Sequence, residues 1–101
     1  MSGMRHRRFV VASVDIDGDD ARLRYGDLLV ASGESTDELD WECVLLTVDP
    51  EPVPHGAHHI AVVTLEGRSI GGDAILVRSI DGTHVFRGAG TIDGIEPSEL
   101  H

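Results

Sequence analysis

Several residue types are missing from this chain or rare in it. Its 101 residues include no lysine, asparagine or glutamine, and the positive charges all come from arginine. Because AT-rich codons encode lysine and asparagine, this absence indicates a GC-rich, bacterial gene. Aromatic residues number only four: Phe9, Tyr25, Trp41 and Phe86. Aliphatic side chains must therefore fill one modest core, and at this length the chain is one domain.

The chain has a single cysteine, Cys43, which excludes an internal disulfide framework. A reactive thiol needs a cationic setting, whereas Cys43 stands in an apolar run between acidic residues, so we interpret it as a core residue. No apolar run approaches the roughly 18 residues that a membrane-spanning helix needs, and no apolar signal-peptide region opens the chain. These absences predict a cytoplasmic chain with no membrane partner.

Negative charge dominates, with 18 acidic against 8 basic residues and a formal net charge of -10. Three of the arginines, Arg5, Arg7 and Arg8, fall within the first eight positions. The rest of the chain would repel a phosphate backbone, so no nucleic-acid partner is expected. Residues 1–7 are predicted to be a disordered basic tip, residues 8–93 one β domain, and residues 94–101 a polar tail.

Motifs that identify common enzyme classes are absent as well. The sequence contains no phosphate-binding P-loop, no dinucleotide-binding glycine motif, no nucleophile elbow and no paired-cysteine zinc motif. No cofactor is therefore predicted.

The strongest positive signal is a meander of three apolar runs between His58 and Asp93. The pair Asp81-Gly82 separates the last two runs, and such a pair favours a two-residue hairpin because both residues tolerate positive φ. The breaks at 66–67 and 71–73 indicate another reversal, either alone or followed by a bulge. Strands are thus predicted at 59–66, near 73–80, and at 83–92.

The first third of the chain predicts a hairpin. Residues 8–17 alternate, with Val10, Ala12, Val14 and Ile16 expected on the buried face. A turn at Asp17–Asp20 leads to a second strand over 21–32, whose second half is either covered on both faces or bent at 26–27.

Residues 33–56 are harder to assign. Ser35 followed by Glu38 resembles a capping box, so a helix over 36–46 is an alternative. The aromatic and β-branched run favours a helical turn at 36–40 and then a strand at 41–48, with Trp41, Cys43 and Leu45 on one face. Three prolines in 50–56 predict a stiff crossing loop at a sheet edge.

These elements predict an all-β fold, a small antiparallel meander of about six strands with at most one short helix near 35–40. The meander would close into a barrel or a two-sheet sandwich. Several strands are apolar on both faces, so a single open sheet would leave apolar surface in water. A homodimer is therefore the expected partner arrangement.

One strand carries the candidate chemistry. His84 could act as an acid or base at neutral pH, with Tyr25 or Asp27 as its partner. Gly88 and Gly90 would leave a shallow trough on the same face, and Phe86 and Trp41 complete this candidate ligand site. The alternative is that the glycines relieve crowding where the sheet bends or where Trp41 packs over them.

Metal sites are weaker candidates. His55 and His58 could ligate a transition metal together with an acid, although they equally suit exposed loop histidines. The acidic run Asp15–Asp20 lacks the glycine and glutamate positions of an EF-hand, which favours a solvated hairpin turn.

Three functions remain open on the sequence alone. The first is a non-catalytic binding or assembly module that forms a homodimer and docks a protein or small ligand. The second is a small β-barrel enzyme that binds an apolar small molecule and uses His84 for acid–base chemistry. The third is a histidine-based metal-binding protein.

Overall fold

The computed structural model describes residues 5–33 and 38–100. This part of the chain is all-β, as the alternating apolar patterns predict. Its elements are β1 (Arg5–Ile16), β2 (Asp19–Ala21), β3 (Leu23–Ser32), β4 (Leu39–Thr47), β5 (Ala57–Thr64), β6 (Ser69–Ile80), β7 (Thr83–Asp93) and a 3₁₀ turn (Pro97–Glu99).

Six of the strands close into an antiparallel barrel. The order around the wall is β1, β3, β4, β7, β6 and β5, and pairing of β5 with β1 completes the circuit. The short β2 extends the β1–β3 hairpin beyond an interruption at Arg22. Of the two predicted architectures, the barrel is the one observed. Closure pairs both edges of every long strand over at least part of its length, which an open sheet cannot do.

Two Asp-Gly pairs make the tight turns that the sequence predicts. Asp17 has φ 54° and Gly18 has φ 86°, while Asp81 has φ 51° and Gly82 has φ 84°. Two successive positive φ angles match the right-handed twist of the flanking strands, and aspartate and glycine tolerate them best. Both predicted hairpins are confirmed.

The buried face of β1 differs from the prediction. Val10 and Ala12 are exposed, whereas Phe9, Val11 and Val14 are buried. The pairing with β5 shifts between Val11 and Ser13, so Ala12 is an extra residue that forms a bulge. A bulge reverses the side-chain alternation, and inward positions therefore pass from odd to even residue numbers.

The segment that could be helix or strand is strand β4. Trp41, Cys43 and Leu45 lie on its buried face, as predicted for a strand. The helix alternative over 36–46 is wrong for Leu39–Leu46, because that run pairs with both β3 and β7. Of the predicted helical turn, residues 39 and 40 belong to β4, and residues 36 and 37 lie outside the described part of the chain.

The two ends of the barrel are covered by different segments. At the first end, the proline-rich segment 48–56 passes from β4 across β7 and β6 to reach β5. It does not lie at a sheet edge, because the barrel closes there. At the second end, Ile95 and Leu100 of the tail are buried. The tail predicted to be polar thus supplies two core residues, and Arg5–Arg7, predicted to be a disordered tip, begin β1.

The interior is filled by apolar side chains from every long strand. Its largest fully buried members include Phe86, Leu28, Leu45 and Ile60. Cys43 is fully buried among them, which confirms its interpretation as a core residue. Within residues 5–33 and 38–100, no helix is long and apolar enough to cross a lipid bilayer.

Candidate functional site

His84 lies inside the first end of the barrel, where two hydroxyl groups hold its ring. Its Nε2 is 2.9 Å from Oγ1 of Thr47, and its Nδ1 is 2.7 Å from Oγ of Ser79. The Thr47 hydroxyl donates to the carbonyl of Asp49, and Ser79 Oγ accepts from the amide of Val53. Because the Thr47 hydroxyl donates elsewhere, Nε2–H is the donor to Thr47, and in a neutral ring Nδ1 then accepts from Ser79.

This arrangement favours a neutral imidazole. Burial lowers the pKa of His84, which is 2% exposed, because the charged ring would lose its hydration. Tyr25 and Asp27 lie on the outer side of the wall, with Tyr25 half exposed and Asp27 paired to Arg8 at 3.3 Å. The structure therefore does not bring the three candidate acid–base residues together.

Trp41 occupies the part of the predicted trough beside Gly88 but not the part beside Gly90. A Cβ placed on Gly88 would overlap the indole nitrogen of Trp41, and one placed on Gly72 would lie 3.2 Å from Cζ2 of the same ring. Gly90 has open space beside it. Phe86 is fully buried beneath this region. The four candidate ligand-binding residues, Trp41, Phe86, Gly88 and Gly90, are neighbours. Gly88, however, makes room for the ring of Trp41, as the alternative interpretation of the glycines expects.

His58 is held by two oxygen acceptors. Nδ1 lies 2.6 Å from Oδ2 of Asp17, and Nε2 lies 2.6 Å from the carbonyl oxygen of Pro54. The hydrogen bond that Nδ1 donates to Asp17 raises the pKa of His58 in spite of its burial, and the same bond lowers the pKa of Asp17. The edge of Phe86 packs against the imidazole, with the ring centroids 5.9 Å apart. These contacts connect β5 with the Asp17-Gly18 turn and with the proline-rich segment 48–56.

The metal candidates are not assembled into a site. His55 is exposed in the crossing segment, and both nitrogens of His58 are taken by Asp17 and Pro54. Among the described residues, no group of three or more His, Cys, Asp and Glu side chains is placed to hold a metal ion. The acidic run around Asp17 forms the solvated hairpin turn that the sequence favours.

A cleft that the sequence reasoning missed lies at the second end of the barrel. Strands β4 and β7 pair only between Glu42 and Leu46 of β4 and Thr83 and Arg87 of β7. Beyond Glu42 and Arg87 no further pairs join the two strands, and an open cleft of about 1180 Å³ lies between them, the end of β3 and the start of the tail. We call this space the seam cleft. Its lining residues from β4, β7 and the tail are Leu39, Asp40, Gly90, Thr91, Ile92, Asp93, Ile95, Glu96 and Pro97.

An apolar surface covers the outer side of β4, β7 and β6 near the first end. Cross-strand neighbours place Val44 beside Val85 and Tyr25 beside Leu46. Ile75, Val77 and Ile80 of β6 are 51%, 56% and 59% exposed. We call this surface the β4–β7–β6 face; its members are Tyr25, Val44, Leu46, Ile75, Val77, Ile80 and Val85. The sequence predicts such a surface because several of its strands are apolar on both faces.

No protein-family model matches the chain, and no similar protein was found among the curated proteins or the solved structures.

Proposed function

We propose that this chain is a non-catalytic assembly module that forms a homodimer through the β4–β7–β6 face. The observation that carries the proposal is the continuity of exposed apolar side chains across neighbouring strands. Leu46 on β4, Ile75 and Val77 on β6, and the half-buried Val44 and Val85 between them belong to one surface. Soluble monomers rarely expose contiguous apolar patches of this kind, whereas dimer interfaces are built from them.

Charge supports a second copy as the occupant of this face. The chain carries 18 acidic residues, and the one directly opposite a member of the β4–β7–β6 face, Asp27 beside Val44, is paired to Arg8. Two copies with a net charge of -10 each repel one another over most of their surfaces. Contact through this face would leave most of the acidic groups outside the interface, where their repulsion is weaker.

The acid–base alternative finds less support. A catalytic base must reach a substrate proton, whereas His84 is 2% exposed and both its ring nitrogens are bonded to hydroxyl groups. The interior around it is packed with side chains such as Phe86 and Leu45 rather than open to a ligand. The metal-binding alternative likewise has no ligand group among the described residues.

The test is the association state of untagged protein and of two variants in sedimentation equilibrium. The native chain is expected to be a dimer. Val77→Glu places a charge on an exposed side chain of the face, and we expect it to weaken dimerisation about tenfold or more, since burying an unpaired carboxylate costs well over 1.4 kcal/mol. The mass of each species is checked by native mass spectrometry.

Leu65→Glu is the matched control. Leu65 is 71% exposed on the β1–β5 side of the barrel, where Val10 and Val63 form a smaller apolar patch. The control should remain dimeric and as stable as the native chain. A monomeric native chain would refute the proposal, and so would dissociation by Leu65→Glu with no effect of Val77→Glu.

A further inference from the structure

The seam cleft is bordered by two strands that lack a partner on the side facing it. On β4, residues Leu39–Trp41 pair with β3 but not with β7. On β7, residues 89–91 have no register partner in β6 or in β4, because the β6 pairing passes from Gly72–Ile92 directly to Ala74–Gly88. Within the described part of the chain, these backbone edges have no strand partner at the cleft, and the amide of Trp41 donates to Oδ1 of Asp40 at 3.0 Å. Open strand edges bind extended peptides by adding a strand.

Acidic side chains predominate at the cleft. The described lining includes the carboxylates of Glu38, Asp40, Asp93 and Glu96 and no basic residue, while Arg5 donates to Oγ of the lining residue Ser32 at 3.1 Å. Arg87 borders the opening and bonds Asp40 at 3.3 Å, but both side chains are more than half exposed, so that pair is weak. Leu39, Ile92 and Ile95 supply apolar contact between the acids.

Trp41 lies next to the position where the pairing of β4 with β7 begins. Its ring is buried at 3% exposure against Gly88, the first residue of β7 beyond the β4 pairing. Its Nε1–H has no acceptor within the part of the chain that the structure describes. Gly90, two residues further along β7, has open space where a side chain would stand. Trp41 and Gly88 lie behind the cleft lining, and the room for another backbone is beside Gly90.

We infer that the seam cleft binds an extended, basic segment of a partner protein, which adds a strand at the open edges of β4 and β7. Main-chain hydrogen bonds to the open edges hold the segment, and its arginine or lysine side chains meet Asp40, Asp93 and Glu96. Apolar side chains at alternate positions of the segment contact Leu39, Ile92 and Ile95. The cleft and the β4–β7–β6 face lie toward opposite ends of the barrel, so peptide binding does not depend on dimerisation.

The probe is an acetylated and amidated octapeptide of alternating arginine and valine, titrated by calorimetry at low and at high salt. Trp41 is the only tryptophan and provides a second signal, because a backbone placed beside it changes its fluorescence. We expect saturable binding of one peptide per chain, weakened by salt. The same peptide with N-methylated valines keeps its charge but loses strand-pairing donors, and we expect its binding to be lost.

Charge variants locate the site. The triple variant Asp40→Asn, Asp93→Asn, Glu96→Gln should bind about tenfold more weakly, since three partly exposed ion pairs together contribute on the order of 1.4 kcal/mol. The control Asp15→Asn, Asp19→Asn, Asp20→Asn removes the same charge from the first hairpin and should change the affinity by less than about twofold.

Each outcome decides the inference. No saturable binding, equal binding of the N-methylated peptide, or equal weakening by the control variant would overturn it. A peptide that dissociates the native dimer would also overturn it, because a second copy would then occupy the cleft. Val77→Glu, which is expected to be monomeric, should bind the peptide with native affinity, so failure of the dimer proposal and failure of this one are distinguishable.

Discussion

The imidazole of His58 and the carboxylate of Asp17 form a hydrogen-bonded pair, with Nδ1 and Oδ2 2.6 Å apart. The other ring nitrogen lies 2.6 Å from the carbonyl oxygen of Pro54, which can only accept. Both nitrogens must therefore carry protons to satisfy their partners, and the imidazolium form is favoured. Asp17 is fixed in turn by the amide of His59, which donates to Oδ1 at 2.8 Å.

This pair makes part of the stability depend on pH. The pKa of His58 is raised, so its contribution is present below the ordinary histidine pKa and is lost as pH rises through the raised value. The pKa of Asp17 is lowered, so its contribution is lost only as pH falls through that lowered value. We expect Asp17→Asn to reduce the free energy of unfolding more at about pH 5.5 than at about pH 9, measured by urea denaturation.

Asparagine suits this comparison because it keeps the shape of Asp17 and tolerates its φ of 54°. Proton NMR titration of His58 in the native protein supplies the independent check and should give a pKa above the ordinary value. Equal losses at both pH values, or an ordinary pKa for His58, would contradict the assignment of an imidazolium clamp.

His84 should respond to pH in the opposite direction. Its pKa is lowered by burial, so its neutral form contributes stability that is lost as pH falls below the ordinary histidine range. Ser79→Ala removes the donor to Nδ1 and the acceptor of the Val53 amide. We expect a loss of about 1–3 kcal/mol in unfolding free energy, because two polar groups lose their partners. Urea denaturation at neutral pH measures it.

Ser13→Ala, at an exposed position on β1, is the control and should change stability by less than about 0.5 kcal/mol. In the native protein, nitrogen NMR shifts should identify the Nε2–H tautomer of His84. A protonated ring near neutral pH, or no loss from Ser79→Ala, would show that the hydroxyl groups do not hold the histidine as described.

Local chemistry explains why much of the fold could be predicted. The turns at Asp17-Gly18 and Asp81-Gly82 need only two residues that tolerate positive φ, and both residues are visible in the sequence. The inward face of β4 follows from simple alternation, because β4 pairs with β7 without a register shift over its buried centre. These elements depend on neighbours within a few residues.

The bulge at Ala12 had no such local signal. Val10 and Val11 are equally apolar, so the alternation fits either face, and only pairing with β5 decides which one is buried. The His58–Asp17 pair spans 41 residues of sequence and exists only because the barrel closes. The seam cleft depends on where the β4–β7 pairing stops, which is a property of twist and packing around Trp41 rather than of any motif.

Cys43 should be unreactive in the folded protein. Burial raises the pKa of its thiol to about 12, and the nearby charge of Asp27 adds to the shift. Because the thiolate is the reactive species, we expect almost no reaction with a disulfide reagent at about pH 8 until the chain unfolds. Absorbance at increasing urea measures this, and modification should follow the unfolding transition. Reaction of the native protein at the rate of a small free thiol would contradict the burial of Cys43 between β3 and β7.

The two glycines of the predicted trough should respond differently to alanine. A Cβ at Gly88 overlaps the indole of Trp41, so Gly88→Ala forces the ring or the strand to move, and overpacking of this kind costs about 1–3 kcal/mol. Gly90→Ala meets nothing within 4 Å, and alanine restricts the unfolded chain more than glycine does. We therefore expect a change within about 0.5 kcal/mol, of either sign, for this variant.

Urea denaturation of both variants measures the difference, and Trp41 fluorescence reports whether the ring has shifted. A large loss at Gly88 with none at Gly90 means that Trp41 occupies the trough and that the space beside Gly90 belongs to the seam cleft. If both variants were neutral, the indole could leave Gly88 without cost, and the trough would again be a candidate ligand site. If Gly90→Ala instead gave the larger loss in free energy of unfolding, β7 would be packed more tightly beyond Gly88 than the open seam cleft implies.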